Sequence, residues 1–207
     1  MSDESDAAGG KTAGEAYAQR LTRLADAPWK RVLNVQAPYH RDLRRQRLGT
    51  TLDIGCGIGR LLAVLPDGSI GVDHNPHSIA IARDRGLQAY TTEEFLADPA
   101  LAKPGRFDSF LAAHLIEHLE YPVALEIMRG YLPFLRPGGR VLFITPQERG
   151  FRSDATHITF TDWAQLRRLA ADLGLVVERE WSIPFPRWAG KLFTHNEFRV
   201  IARKPAN

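Results

Sequence analysis

From Thr50 onward, short apolar runs alternate with amphipathic stretches, and this alternation dictates the architecture. Leu52 to Ile54 is a brief apolar strand ending in glycines at alternate positions, Gly55, Gly57 and Gly59, and an apolar helical stretch follows from Leu61 to Leu65. Ser69 to Asp73 predicts a second strand. Asn75-Pro76 then starts a helix, with Asn as N-cap and Pro at the first helical position, running to about Arg85 and stopping at Gly86. Gln88 to Thr91 reads as a third strand, Thr92 to Ala97 as a helical turn, and Phe107 to Ala113 as a fourth strand. Pro122 opens a helix with Val123, Ile127 and Tyr131 facing inward. The turn Arg136-Pro137-Gly138-Gly139 leads into a fifth strand, Arg140 to Thr145, and a polar loop spans Gln147 to Ile158. Thr161 caps a helix carrying Trp163, Leu166, Leu169, Ala170 and Leu173 on one face. Two more strands, Leu175 to Trp181 and Glu197 to Arg203, complete the pattern. Strands alternating with helices predict a parallel sheet wound with helices on both faces.

Before this core the pattern is helical only. Tyr17, Leu21 and Leu24 form an amphipathic stripe, and Trp29, Val32 and Leu33 begin a short second helix. A third helix runs from Tyr39 to Leu48, with Arg41, Arg44, Arg45 and Arg47 on its polar positions. Such a run is ordinarily a solvated face; the sharper reading is a site for a phosphorylated or carboxylated substrate. The expected organisation is a disordered tail over 1–14, a helical segment over 15–48 serving as part of a substrate cap, and a catalytic domain over 49–207.

Composition narrows the field. A chain of 207 residues suits one domain with a real core, and no apolar run is long enough to cross a bilayer. Met1 to Glu15 is polar and lacks the apolar centre of a signal peptide. The single cysteine, Cys56, forms no intrachain disulfide, and the expected setting is the cytoplasm. A net charge of +3 permits an anionic substrate and does not call for nucleic acid.

A strand, a glycine turn and a helix bring bare backbone against a nucleotide-like ligand. The spacing here is G-x-G-x-G, which fits neither the dinucleotide fingerprint nor the phosphate-cradling loop. Asp73 stands twenty residues after Asp53, at the end of the neighbouring strand, where a carboxylate accepts both hydrogen bonds of a ribose diol. D-I-G-C-G-I-G-R, G-V-D-H-N, F-D-S-F-L-A-A-H-L-I-E-H-L and L-R-P-G-G-R-V-L-F-I-T-P follow in order. Together they resemble a class I S-adenosylmethionine-dependent methyltransferase of the small-molecule type, over roughly Leu48 to Pro146. The resemblance implies a Rossmann-like, doubly wound α/β sheet of seven strands with the last antiparallel. It implies S-adenosyl-L-methionine as cofactor, met by Asp53, Gly55, Cys56, Gly57, Gly59, Asp73, His74, Ala113 and His114. An acidic side chain near the adenine amine is implied somewhere in Thr92-Glu93-Glu94.

His114-Leu-Ile-Glu117-His118 also spells the inverted zinc-protease pattern H-x-x-E-H. Because His114 directly follows a strand and the main helix starts only at Pro122, the two histidines are not expected on one helical turn. No metal is expected from it. His157 is the first choice for a catalytic base, in the loop with Asp154, with Glu117 and His118 next. Phe185 and Trp188, beside Arg187, offer surfaces for stacking a ring. The reading is therefore an enzyme moving a methyl group to oxygen or nitrogen of a small acceptor, anionic or ring-containing. A non-catalytic cofactor-binding partner protein and a nicotinamide-dependent oxidoreductase are the alternatives.

Overall fold

The computed structural model describes residues 36–206. The readings for the tail and the first two helices lie outside the described residues. The chain forms two compact units, one ending at Leu101 and the other beginning at Ala102. Their strands make a seven-stranded sheet in the order β3-β2-β1-β4-β5-β7-β6.

The first unit holds α1 (Ala37–Arg45), β1 (Thr51–Ile54), β2 (Ile70–Asp73), α2 (Pro76–Asp84), β3 (Ala89–Thr91) and α3 (Thr92–Ala97). Its strands pair in parallel, with Leu52 opposite Ile70 and Gly71 opposite Ala89. β1 and β2 are buried on both faces, which is why they read as unbroken runs. Asn75 caps α2 as expected, its side chain accepting from the His77 and Ser78 amides. A capping box between Thr91 and Glu94 starts α3, which the sequence reading treated as a bare helical turn. The stretch after the glycine loop is a single 3₁₀ turn, Leu62–Val64, and not the expected helix over Leu61 to Leu65. Pro66 forbids its extension. Leu62 nonetheless joins Cys56, Ile79, Ala82 and Ala89 in one buried cluster. Helix α1 buries Tyr39 and Leu43 and leaves Arg41, Arg44, Arg45 and Arg47 exposed.

The second unit contains β4 (Phe107–Ala113), α4 (Tyr121–Tyr131), β5 (Leu135–Pro146), α5 (Glu148–Arg152), α6 (Trp163–Asp172), β6 (Val176–Ile183) and β7 (Glu197–Arg203). β4 and β5 are parallel; β7 runs antiparallel to both β5 and β6. Four expectations change here. The Arg136 to Gly139 turn lies inside β5, where the pairing slips between Phe107 and Ser109, so it acts as a bulge. Helix α4 buries Tyr131 as expected, but with Ala124 and Met128 rather than Val123 and Ile127, which are half-buried. The polar loop contains α5. Asp162 caps α6 by accepting from the Gln165 amide, while the Thr161 hydroxyl turns to the Thr159 carbonyl. No described helix is long and apolar enough to cross a membrane.

Candidate functional site

In the first unit the glycine loop is held by the end of β2. The Gly55 and Cys56 amides both donate to the Val72 carbonyl, at 2.9 and 3.0 Å. The Gly57 amide donates to Asp73 Oδ2 at 2.8 Å, and the Asn75 amide to Asp73 Oδ1 at 2.9 Å. Each carboxylate oxygen accepts one of these backbone amides, and a carboxylate oxygen can accept more than one hydrogen bond. Gly57, at φ 52°, sits in the left-handed region that lets its N–H turn toward Asp73.

The neighbouring residues have different duties. Gly59 is also left-handed, but a Cβ there would run into Leu87 Cδ1 and press on Ala82 Cβ at 3.3 Å. Its bareness therefore makes room for the core behind the loop. The Cys56 side chain belongs to that same core, and burial, with the charges of Asp53 and Asp73, pushes its thiol well up. His74 is exposed, with Nδ1 3.4 Å from Asp73 Oδ1. Glu94 is committed to Arg83 and to its own helix cap, and Glu93 is exposed.

Asp53 is 2% exposed. Burial first, and the Asp73 charge second, raise its carboxyl from 3.8 to about 7, against an opposing hydrogen bond from the Leu62 backbone. In the unfolded chain the group ionises near its ordinary value, so between pH 4 and 7 unfolding releases a proton. Stability is thus highest below about pH 4 as far as this group is concerned, and falls as pH rises to about 7. That rise in pKa corresponds to about 4 kcal/mol. Asp53→Asn should flatten that fall. Urea unfolding of the ligand-free protein at pH 5 and pH 8 measures it, and an unchanged difference between the two pH values would contradict the assignment.

In the second unit a chain of buried and half-buried polar groups gathers at the end of β4. His114 follows Ala113 with φ 55°. Its Nδ1 lies 3.1 Å from Glu117 Oε1 and its Nε2 3.2 Å from Glu197 Oε1. Burial alone would depress His114, but these two carboxylates lift it to about 9. Glu197 is raised by burial, yet Arg199 and His114 together bring it down to about 2. Arg199, 1% exposed, reaches Glu197 Oε2 at 2.7 Å from the same face of β7. Neither Glu197 nor Arg199 was marked by the sequence reading. Their only sequence signal is an i, i+2 charge pair in an otherwise apolar strand.

Glu117, His118 and His157, the three catalytic candidates, come together. One ligand-type atom from each lies within 4.8 Å of the others. Glu117 and His118 sit in a 3₁₀ turn, Ile116–His118, and His157 in the loop after α5. The Ile158 and Thr159 amides both donate to the Glu117 carbonyl, at 2.9 and 3.1 Å, which fastens loop to turn. His118 Nδ1 faces the Thr156 carbonyl at 3.1 Å and His157 Nδ1 the Phe151 carbonyl at 2.8 Å. Burial holds His118 below its usual range. His157 stacks on Phe151 at 5.5 Å and meets the His118 ring at 4.8 Å. Asp154 is spent on the loop's own turn, accepting from Thr156. Arg187 forms a paired ion contact with Glu148 and lies over Phe198, whereas Phe185 and Trp188 are exposed. In the first unit Arg41, Arg44, Arg45 and Arg47 line a cavity of about 650 Å³ with Ala37 and His40.

The sequence pattern of a family described as "Methyltransferase domain" matches residues 15–180, most of the chain. The chain belongs to that methyltransferase family. S-adenosyl-L-methionine is accordingly its cofactor, and the two acceptor oxygens of the Asp73 carboxylate are of the kind a ribose diol needs. Among curated proteins the methyltransferase is similar to a ubiquinone biosynthesis O-methyltransferase of Xanthomonas euvesicatoria, at 30% identity over 131 residues, covering 58% of this chain and 54% of that protein. It thus spans about half the length of the curated relatives it matches. Among solved structures it is similar to a SAM-dependent methyltransferase from Archaeoglobus fulgidus, with TM-score 0.64, 19% identity, and coverage of 82% of this chain and 94% of that one. It is also similar to the [4+2]-cyclase SpnF, with TM-score 0.60, 20% identity, and coverage of 83% and 82%. These structural likenesses speak for the fold alone, and the second shows that the fold hosts other chemistry.

Proposed function

We propose that the protein transfers a methyl group from S-adenosylmethionine to an oxygen or nitrogen of a small-molecule acceptor by in-line displacement. The observation that carries this reading is the Gly57–Asp73 contact inside a matching methyltransferase domain. The cofactor supplies a methyl group already activated on a sulfonium. Asp73 takes the ribose hydroxyls and the glycine loop admits the methionine part; Ala113 and His114, after the fourth strand, are read as cofactor residues as well. Alignment of the two reactants is the main service, worth about 7 to 11 kcal/mol of barrier.

His157 removes the acceptor proton. A carbonyl oxygen only accepts, so the Phe151 contact places the His157 hydrogen on Nδ1 and leaves the Nε2 lone pair as base. Glu117 and His118 stand beside it. The O-methylating relatives favour oxygen as the nucleophile. A ring-bearing acceptor suits the exposed Phe185 and Trp188, and an anionic one the α1 arginines. The 15–48 segment is read as part of the acceptor's cover, and the cytoplasm as the setting.

S-adenosylhomocysteine should raise the thermal unfolding midpoint while NAD leaves it unchanged. A shift with NAD alone would point to the oxidoreductase, and a shift with S-adenosylhomocysteine but no methyl transfer into any extract component to the non-catalytic binder. The G-x-G-x-G spacing already disfavours the dinucleotide.

A further inference from the structure

The Glu117–His118–His157 cluster has a feature that a base and its neighbours do not require. Glu117 is fully buried, its Oε1 faces His114, and its Oε2 has no hydrogen-bond partner. A carboxylate oxygen left unpartnered in the interior costs about 1–3 kcal/mol or more, so something is expected to meet it. Both nearby imidazoles are fixed in one tautomer by backbone carbonyls at Nδ1, Thr156 for His118 and Phe151 for His157. That leaves a lone pair on Nε2 of each ring. A histidine whose far nitrogen donates to a carbonyl, next to a carboxylate whose other oxygen is itself held, is how metal ligands are oriented. His114 plays that outer role for Glu117.

We infer that Glu117 Oε2, His118 Nε2 and His157 Nε2 form a binding site for one divalent transition-metal ion of the zinc class. Two imidazoles and one carboxylate suit zinc, and three protein ligands leave a fourth position open to an oxygen ligand. Bonds of about 2.0–2.2 Å put tetrahedral ligands roughly 3.4 Å apart, so the 4.8 Å cluster closes by about 1 Å on binding. His157 lies in a loop, outside any helix or strand, which permits that adjustment. The ligand set is not the one the H-x-x-E-H spelling suggests. His114 turns to the two carboxylates, and a histidine forty residues onward stands in its place. The site needs neither cofactor nor acceptor, but an ion there takes the His157 Nε2 lone pair that proton removal uses, so the metal-loaded chain cannot employ His157 as base, while cofactor binding is independent of it.

The test is calorimetric titration of the metal-stripped full chain with zinc, and with cobalt as a spectroscopic probe. One ion per chain should bind with micromolar affinity or better, and bound cobalt should show the visible bands of a low-coordinate nitrogen and oxygen site. His157→Ala and Glu117→Gln should each weaken zinc binding at least tenfold and abolish the cobalt spectrum. Circular dichroism and urea midpoints in chelator establish that the variants fold; if Glu117→Gln does not, His157→Ala decides alone. Absence of binding to the unaltered chain, or equal affinity in His157→Ala, overturns the site. S-adenosylhomocysteine affinity on the same samples reports separately on the methyltransferase reading.

Discussion

Asp73→Ala should weaken S-adenosylhomocysteine binding by at least 100-fold. Two losses combine. The Gly57 and Asn75 amides lose the carboxylate they donate to, which leaves the loop and the start of α2 to find water or rearrange. Each stranded buried N–H costs about 1–3 kcal/mol. The ribose loses a charged acceptor, worth about 1.5–3 kcal/mol per hydrogen bond. A hundredfold corresponds to about 2.8 kcal/mol, well inside that sum. Asp73→Asn keeps the shape but turns one oxygen into a donor facing an N–H, and should fall between the two. Calorimetry with S-adenosylhomocysteine measures both; an Asp73→Ala protein that is folded and binds within fivefold of the parent would remove Asp73 from the cofactor site.

His157→Ala should lower the rate of methyl transfer by about 10²- to 10⁴-fold, the usual span for a positioned acid or base. Cofactor affinity should stay within about twofold, because the His157 ring is held by Phe151 and His118 and not by the glycine loop or Asp73. The measurement is tritiated-methyl transfer into small molecules of a cell extract, alongside S-adenosylhomocysteine titration. A rate within threefold of the parent would mean that the acceptor carries its own activated nucleophile. Loss of the Phe151 stack will cost some stability, so unfolding midpoints belong with the rates.

The two kinds of site differ in how legible they are. The cofactor side is built from neighbours in sequence. Asp73 ends one strand, Asn75 caps the next helix, and the glycines end the strand before, so strand order and turn chemistry place all three. A cap is local and so readable, as Asn75 shows, although the Thr91–Glu94 box and the one-residue shift from Thr161 to Asp162 escaped. The acceptor side depends on distant pairings. Nothing in the spacing of His114 announces Glu197, 83 residues on, and nothing about Ile158 announces the Glu117 carbonyl. Gly59 shows a third case. Its conformation was readable, but the side chain that fills its space, Leu87, arrives by tertiary packing. The face of α4 was misjudged because apolar residues surround the stripe, and periodicity then cannot choose between adjacent positions.

The two amides that fasten Ile158 and Thr159 to the Glu117 carbonyl have a consequence for redesign. Segments 114–118 and 153–159 behave as a single cassette, although about forty residues separate them. A chimera that imports either one from a relative inherits half of a hydrogen-bonded interface and strands the other half. Exchange of acceptor preference between relatives should therefore succeed only when both segments travel together, and random recombination with a crossover between them should be depleted among active offspring.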